Sequence, residues 1–272
     1  MMVESWSVRI LATWGWESFP ISTKKTVADM SEVPSPQQNH LLATLSAGVQ
    51  SGFFPHLELV AMELGKVLYE PGITLQHIYF PTDSIVSLLY VTESGDCGEL
   101  AVVGNDGLIG IALFMGGEST PRRAVVQSAG HAYRIPEDKI RSEFNRHGEV
   151  LLLLLRYTQA LITQITQTVV CNRYHSLQQQ LCRWLLLSLD RLPDNSLTMT
   201  QQLIANMLSI HRDGVVDATT KLEKLGVVEY GNGMITVIDR GKLEALSCEC
   251  YPVIKKETDR LLAYATSPRS CH

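Results

Sequence analysis

The sequence predicts an α+β fold in three parts: an N-terminal β-roll of jelly-roll type, a long helix, and a C-terminal winged helix-turn-helix. Three observations point there. Between residues 62 and 136, short β-branched and aromatic runs alternate with turn signals at roughly ten-residue spacing. Residues 137–192 change to helical periodicity with little glycine. Residues 198–238 hold two short amphipathic helices followed by two strands around a Gly-Asn-Gly tip. With 272 residues, the chain is long enough for two domains.

Residues 1–39 read as an N-terminal extension. They hold Trp6, Trp14 and Trp16 without a sustained period, and Pro34-Ser35-Pro36 reads as linker. The extension is expected to be disordered or to precede the native start, for which Met30 is the candidate. Residues 40–136 are assigned to the β-roll. There Lys66–Tyr69 stops at Glu70-Pro71-Gly72, and His77–Phe80 stops at Pro81-Thr82-Asp83-Ser84. Ile85–Val91 ends in Glu93-Ser94-Gly95-Asp96, a hairpin tip that would expose Cys97. Leu100–Val103, Ala124–Val126 and Ala132–Ile135 complete the set.

Residues 137–175 are assigned to a connecting helix entered at Pro136. Leu151, Leu155, Thr158, Ile162, Ile165 and Val169 recur at alternating four- and three-residue steps, the a/d geometry of a coiled coil. This pattern fits an internal core face and a seam between two copies equally well. A second helix is expected over 177–192, stopped by Pro193-Asp194-Asn195.

Residues 176–272 form the last domain. Thr200 can cap a helix starting at Gln201. Ala205 sits where two helices must approach, a turn falls at Ser209-Ile210, and a second helix starts at His211 or Arg212. Ile210 and Val215 would bury against Ile204 and Leu208, leaving Arg212, Asp213, Gly214 and Asp217 outside. Leu225–Val228, Glu229–Gly233 and Met234–Ile238 supply the two strands of the wing.

The stretch Met199–Arg212, with Leu222–Val227 and Ile238–Arg240, resembles the Crp/Fnr regulators, bacterial transcription factors named for the cyclic-AMP receptor protein and the fumarate–nitrate regulator. Glu63-Leu64-Gly65, Glu70-Pro71-Gly72 and Ile78-Tyr79-Phe80 resemble that family's cyclic-nucleotide-binding β-roll. The resemblance covers about residues 41–264. It implies a homodimeric, cytoplasmic transcription regulator whose sensor domain controls binding to a palindromic promoter site on double-stranded DNA. It also implies a contact with RNA polymerase, and it turns the helical seam into a dimer contact. Arg212 matches the family's base-reading arginine, a fork suited to guanine O6 and N7. Thr200 and Gln202 match positions that hold the phosphate backbone. His211, Asp213 and Asp217 complete the expected DNA-binding set. His211 replaces a usual Ser or Thr, Gly214 a common hydroxyl residue, and Asp217 a basic or polar one. The target half-site is therefore expected to differ from familiar ones.

The family's nucleotide cassette joins a glycine, a ribose-binding glutamate and a phosphate-binding arginine. Gly110 matches the glycine, and Arg122 and Arg123 match the arginine end, but Ile111 stands in the glutamate's place. No cofactor is expected, and a cyclic nucleotide is a candidate effector with an incomplete site. Residues 1–96 hold no cysteine, which excludes the N-terminal ligand cluster of an iron–sulfur regulator. Cys248-Glu249-Cys250 is C-x-C without a second pair, so no metal site is expected and the six cysteines read as free thiols.

Net charge is −5 and the pI about 5.9, which argues against a protein that coats nucleic acid. The acidity lies outside residues 176–272, where eleven basic residues balance eleven acidic ones, so specific reading by a few placed groups is not excluded. The longest run of large apolar residues, Val150–Leu155, is far short of the roughly 18 needed for a bilayer span, and no membrane partner is expected. P-loop, GxSxG and HExxH motifs are lacking, which argues against an enzyme. The second reading is a ligand-binding regulatory module whose DNA-binding function has weakened or been lost. In residues 198–226, Asp213, Asp217 and Glu223 balance Arg212, Lys221 and Lys224.

Overall fold

The computed structural model describes residues 33–192 and 194–263. The readings placed on residues 1–32, Met30 included, and on Cys271 lie outside them. The chain is anchored at Asn39, which is fully buried. Its side-chain oxygen accepts from the backbone N–H groups of Leu41 and Leu42, capping helix α1 (His40–Ala43). Its amide nitrogen donates to the carbonyls of Pro81 and Gly107, each at 2.9 Å. Tyr133 Oη donates to the Pro34 carbonyl, so the last residues assigned to the extension are seated on the roll. Helix α2 (Ala47–Phe53) follows, and Phe53 meets Phe80 edge to face.

Seven strands build the roll: β1 (Glu58–Met62), β2 (Val67–Tyr69), β3 (His77–Pro81), β4 (Ile85–Val91), β5 (Cys97–Val103), β6 (Arg122–Ser128) and β7 (Gly130–Pro136). They pair antiparallel in two sheets of order β1-β7-β3 and β2-β6-β4-β5. Strand alternation divides their side chains. Ala124 and Val126 of β6 join Ile78, Phe80, Leu88 and Ile135 in the roll's core, while Val125 and Leu89 face the other way.

Residues 137–175 hold two helices rather than one. Helix α3 (Glu137–Asn145) opens with Glu137 and Asp138, where the helix dipole favours acids. It ends at Asn145, and the gap to the next helix holds His147, in the left-handed region at φ 56°, and Gly148, in extended backbone; neither conformation continues a helix. Helix α4 (Glu149–Tyr174) is the long one. Helix α5 (Leu177–Leu189) starts at a reciprocal capping box between Ser176 and Gln179. It ends at Leu189, short of residue 192, with Asp190 as its C-cap, whose carboxylate accepts from Arg240 and Tyr251 Oη. Then come β8 (Ser196–Thr198), α6 (Gln201–Leu208), α7 (Arg212–Lys224), β9 (Val228–Gly231), β10 (Met234–Val237), α8 (Arg240–Leu246) and α9 (Cys250–Ala263). Helix α9 packs along α4.

The two halves share a core. Trp184, Leu185 and Leu186 of α5 pack in one cluster with Leu89 and Val125 on the outer face of the second sheet. Glu99 of β5 is buried in this contact. It accepts from Ser87 Oγ at 2.6 Å and from Trp184 Nε1 at 2.8 Å. Ser87 Oγ also lies 2.8 Å from Gln127 Oε1, and Gln127 Nε2 donates to Ser188 Oγ at 3.4 Å.

Burial pushes the Glu99 pKa from 4.5 up to about 7, against the opposing pull of those two hydrogen bonds and the charges of Arg183 and Arg191. A carboxyl raised in the folded state stabilises when protonated. That contribution is complete below 4.5 and is lost as pH rises through about 7. Glu99→Gln stays neutral and keeps an acceptor for Trp184. It also frees the Ser87 hydroxyl to donate to Gln127. We expect it to raise stability at about pH 8 by on the order of 2–3 kcal/mol and to flatten the pH profile. Melting curves of both proteins at about pH 5 and pH 8 check this; an equal difference at the two values would count against it.

Candidate nucleic-acid interface

Helices α6 and α7 form the helix-turn-helix. The Thr200 hydroxyl accepts from Leu203 N–H at 3.2 Å and starts α6. The turn between the helices is made by Ser209, a non-glycine residue in the left-handed region at φ 55°. The N–H of Ile210 returns to the Ala205 carbonyl at 3.0 Å, and Ala205 is fully buried where the helices meet. Ile204, Leu208 and Val215 are buried together as expected, joined by Ala218 and Leu222, while Ile210 is half-buried against them. His211 is the N-cap of α7, so the helix proper starts at Arg212. Strands β9 and β10 pair around Asn232 and Gly233, both at positive φ, the backbone a two-residue hairpin turn requires. Strand β8, which the sequence reading left unassigned, adds a third strand beside β10.

His211, Arg212, Asp213 and Asp217 are exposed on α7. Among the described residues, no hydrogen bond or ion pair engages the Arg212 side chain. Two of the acids that offset the local charge are occupied elsewhere. Asp217 pairs with Lys221 one turn on at 2.7 Å, and Glu223 accepts from the backbone N–H of Tyr230 in the wing. Gln202 is exposed and its amide donates to Asn206 Oδ1 at 2.9 Å, which sets its orientation on α6. Gly214 is not an outward position. It is half-buried, and a Cβ there would come within 2.9 Å of Leu177 at the start of α5. The lack of a side chain there serves packing against α5.

The turn of this motif rests on the β-roll. Ser209 Oγ donates to the Cys97 carbonyl at 3.0 Å, and a Cβ on Gly98 would collide with Ser209 Oγ. A cleft of about 370 Å³ opens here between Asp96 and Cys97 on one side and Asn206, Ser209 and His211 on the other. Cys97 is therefore half-buried under the reader rather than exposed at a free tip, and burial pushes its thiol up to about 12.

Helix α4 settles which residues of the expected seam face outward. Leu155, Ile162 and Val169 are exposed at 49, 50 and 62%. Leu151 is half-buried. Thr158 is buried with its hydroxyl donating to the Leu154 carbonyl, and Ile165 packs on the roll core. The outward stripe instead runs Leu152, Leu155, Gln159, Ile162, Thr166, Val169, again at three- and four-residue steps. The physical reason for the shift is that one chain needs Leu154, Thr158, Leu161 and Ile165 to close its own roll.

Of the expected effector residues, Gly110 and Arg122 line one space and Arg123 does not join them. Arg122 and Arg123 are neighbours on β6 and project to opposite faces. Arg123 is buried and its Nε donates to Glu70 at 2.7 Å. Arg122 and Gly110 line a space inside the roll, but Tyr69, Leu75, Leu108, Ile111 and Leu161 fill it, leaving about 20 Å³. Gly110 takes φ 107°, and a Cβ there would come 3.1 Å from the His77 carbonyl, which accounts for this glycine structurally.

One group escaped the sequence reading. Cys171 and His175 at the end of α4 meet Cys248 and Cys250 from the α8–α9 junction, with all four ligand atoms within 4.8 Å of one another. The only sequence signal was the C-x-C at residues 248–250; its partners lie 77 residues away, beyond the reach of any spacing rule.

The family of Crp-like helix-turn-helix domains matches residues 179–246. No curated protein matches the chain. Among solved structures, a Crp/Fnr-family transcriptional regulator from Eubacterium rectale is 15% identical, with TM-score 0.61, and the alignment covers 77% of this chain and 98% of that one. FixK2 from Bradyrhizobium japonicum is 14% identical over 71% of this chain and 98% of its own, also with TM-score 0.61. A Crp/Fnr-family regulator from Thermus thermophilus is 22% identical over 70% and 98%, with TM-score 0.57. At these identities the solved structures speak to the fold, and the helix-turn-helix match speaks to residues 179–246. A Crp-like helix-turn-helix domain at residues 179–246 thus follows a β-roll and a long helix, the order of parts in these Crp/Fnr-family structures, which the chain resembles in fold.

Proposed function

We propose that the chain acts in the bacterial cytoplasm as a homodimer that binds a palindromic promoter site and passes its output to RNA polymerase, without catalysis of its own. The observation that carries this is Arg212, exposed at the first turn of α7 with no intramolecular partner among the described residues. A guanidinium in that place can reach guanine O6 and N7 in a major groove. Thr200 and Gln202 at the start of α6 lie where phosphate contacts set register. The stripe Leu155, Ile162 and Val169 supplies an apolar seam for a second copy. Among the described residues, no helix is long and apolar enough to cross a membrane.

Selection of bound DNA from a random duplex pool tests this reading. The wild-type chain is expected to enrich a two-fold symmetric sequence, and the Arg212→Ala chain to enrich none. Equal enrichment by both would place base reading elsewhere.

We further propose that the sensor does not take a cyclic nucleotide through Gly110 and Arg122. About 20 Å³ is far below the 300–1,000 Å³ of ordinary ligand sites. Cyclic AMP at 100 times a micromolar Kd would add about 2.7 kcal/mol to stability if it bound. We expect no thermal shift, and a clear one would show that the roll opens.

A further inference from the structure

We propose that Cys171, His175, Cys248 and Cys250 form a tetrahedral zinc site that ties the end of α4 to the DNA-binding domain. The Sγ atoms of Cys171 and Cys248 are 3.5 Å apart, and Cys250 Sγ is 3.5 Å from His175 Nδ1. A zinc ion with sulfur ligands at about 2.3 Å and a nitrogen at about 2.0 Å spaces its ligands at about 3.5–3.8 Å. All four atoms here fall within 4.8 Å, a mononuclear spacing. An iron–sulfur cluster would hold its cysteine sulfurs wider apart. Three thiolates and one imidazole suit zinc rather than magnesium or calcium, which take oxygen ligands.

Two surrounding features match a metal better than a cluster of idle thiols. His175 Nε2 faces Glu249 Oε1 at 3.2 Å. A carboxylate that holds one ring N–H leaves the other nitrogen, here Nδ1, as a lone-pair donor toward the thiols, the usual support of a zinc-bound histidine. The second feature is Arg183. It is 3% exposed, and its Nε has no hydrogen-bond partner among the described residues. Its charge acts on Cys171 and Cys250, and its Nη1 donates to Thr168, one turn before Cys171. Three thiolates around a divalent ion leave one net negative charge, which this guanidinium offsets. Binding releases three thiol protons, so acid competes with the metal for the site.

The site's place in the fold defines its role. Helix α4 carries the outward stripe, and Cys248 and Cys250 flank the junction between α8 and α9 of the reader. A metal there fixes the angle between the dimer helix and the DNA-binding domain.

The test uses the full-length chain purified under reducing conditions. Elemental analysis is expected to give one zinc per protomer. Replacement by cobalt(II) is expected to give the visible ligand-field bands and near-ultraviolet sulfur-to-cobalt absorption of a tetrahedral thiolate site. Cys250→Ala is expected to lose the metal, and Cys182→Ala, a buried thiol outside the group, to keep it. Chelation of the wild-type chain should lower its Tm. Reduced protein that takes up neither zinc nor cobalt(II) would overturn the proposal, and so would a Cys171–Cys248 disulfide in the reduced preparation or acid-labile sulfide with iron. Because metal content and cobalt spectra are read on the wild-type chain, the result stands even where a variant fails to fold.

Discussion

Arg212→Ala is expected to abolish sequence-selective DNA binding while leaving the fold intact. The side chain is exposed and unpaired among the described residues, so its removal leaves no buried partner stranded. A bidentate contact to guanine discriminates by about 1–3 kcal/mol, and a dimer makes the contact twice. The loss should therefore reach roughly 2–6 kcal/mol, a factor of about 30 to 10⁴ in selective affinity. Arg212→Lys separates charge from geometry. It should keep the residual non-specific affinity but lose most of the base preference, because an ammonium lacks the planar fork. Fluorescence anisotropy on the selected site and on a scrambled duplex, over a range of salt, reads both effects. The salt slope should be shallow in every variant, since the exposed acids Asp213 and Asp217 stand on the same helix as Arg212. A variant as selective as wild type would show that α7 does not read bases.

Ile162→Asp is expected to turn the proposed dimer into a monomer. Ile162 lies at the middle of the outward stripe and is half exposed, so the change disturbs little within one chain. In a symmetric seam it removes two apolar side chains at about 1.5–3 kcal/mol each and sets two carboxylates against one another. The dimer dissociation constant should rise by at least about 100-fold, measured by sedimentation equilibrium. Selective DNA binding should fall with it, because a lone reader holds one half-site. Thr158→Asp gives the contrasting result. Thr158 is buried against the chain's own roll, so a charge there should lower Tm sharply before it changes association. If Thr158→Asp dissociated a stably folded dimer, the stripe would be misassigned.

These two positions show how far the sequence could be read. Heptad spacing located the helix and its apolar faces, yet Thr158 and Ile162 satisfy that spacing equally. Which face is claimed by the roll depends on Leu108, Tyr69 and other residues far away in sequence, and only the assembled core decides it. The helix-turn-helix was more legible because its contacts are local: Thr200, Ala205, Ile210 and Val215 lie within one short segment. Gly214 shows the limit even there, since its close neighbour Leu177 belongs to α5. The β-roll sites were read least well. Arg122 and Arg123 look like one basic pair in sequence, but strand alternation separates them, and Glu70 takes the second. Of the Cys171–Cys250 group only the C-x-C at residues 248–250 showed in the sequence, because the group is assembled from two helix ends distant in the chain.

The most direct test of the paired-reader account is a hydroxyl-radical and methylation footprint of the wild-type chain on its selected site. The account predicts two protected major-groove patches on one face of the duplex, with centres about 10 base pairs apart or a multiple of that turn. Both should vanish together in Arg212→Ala and in Ile162→Asp. A single asymmetric patch, or two patches that persist in either variant, would contradict it.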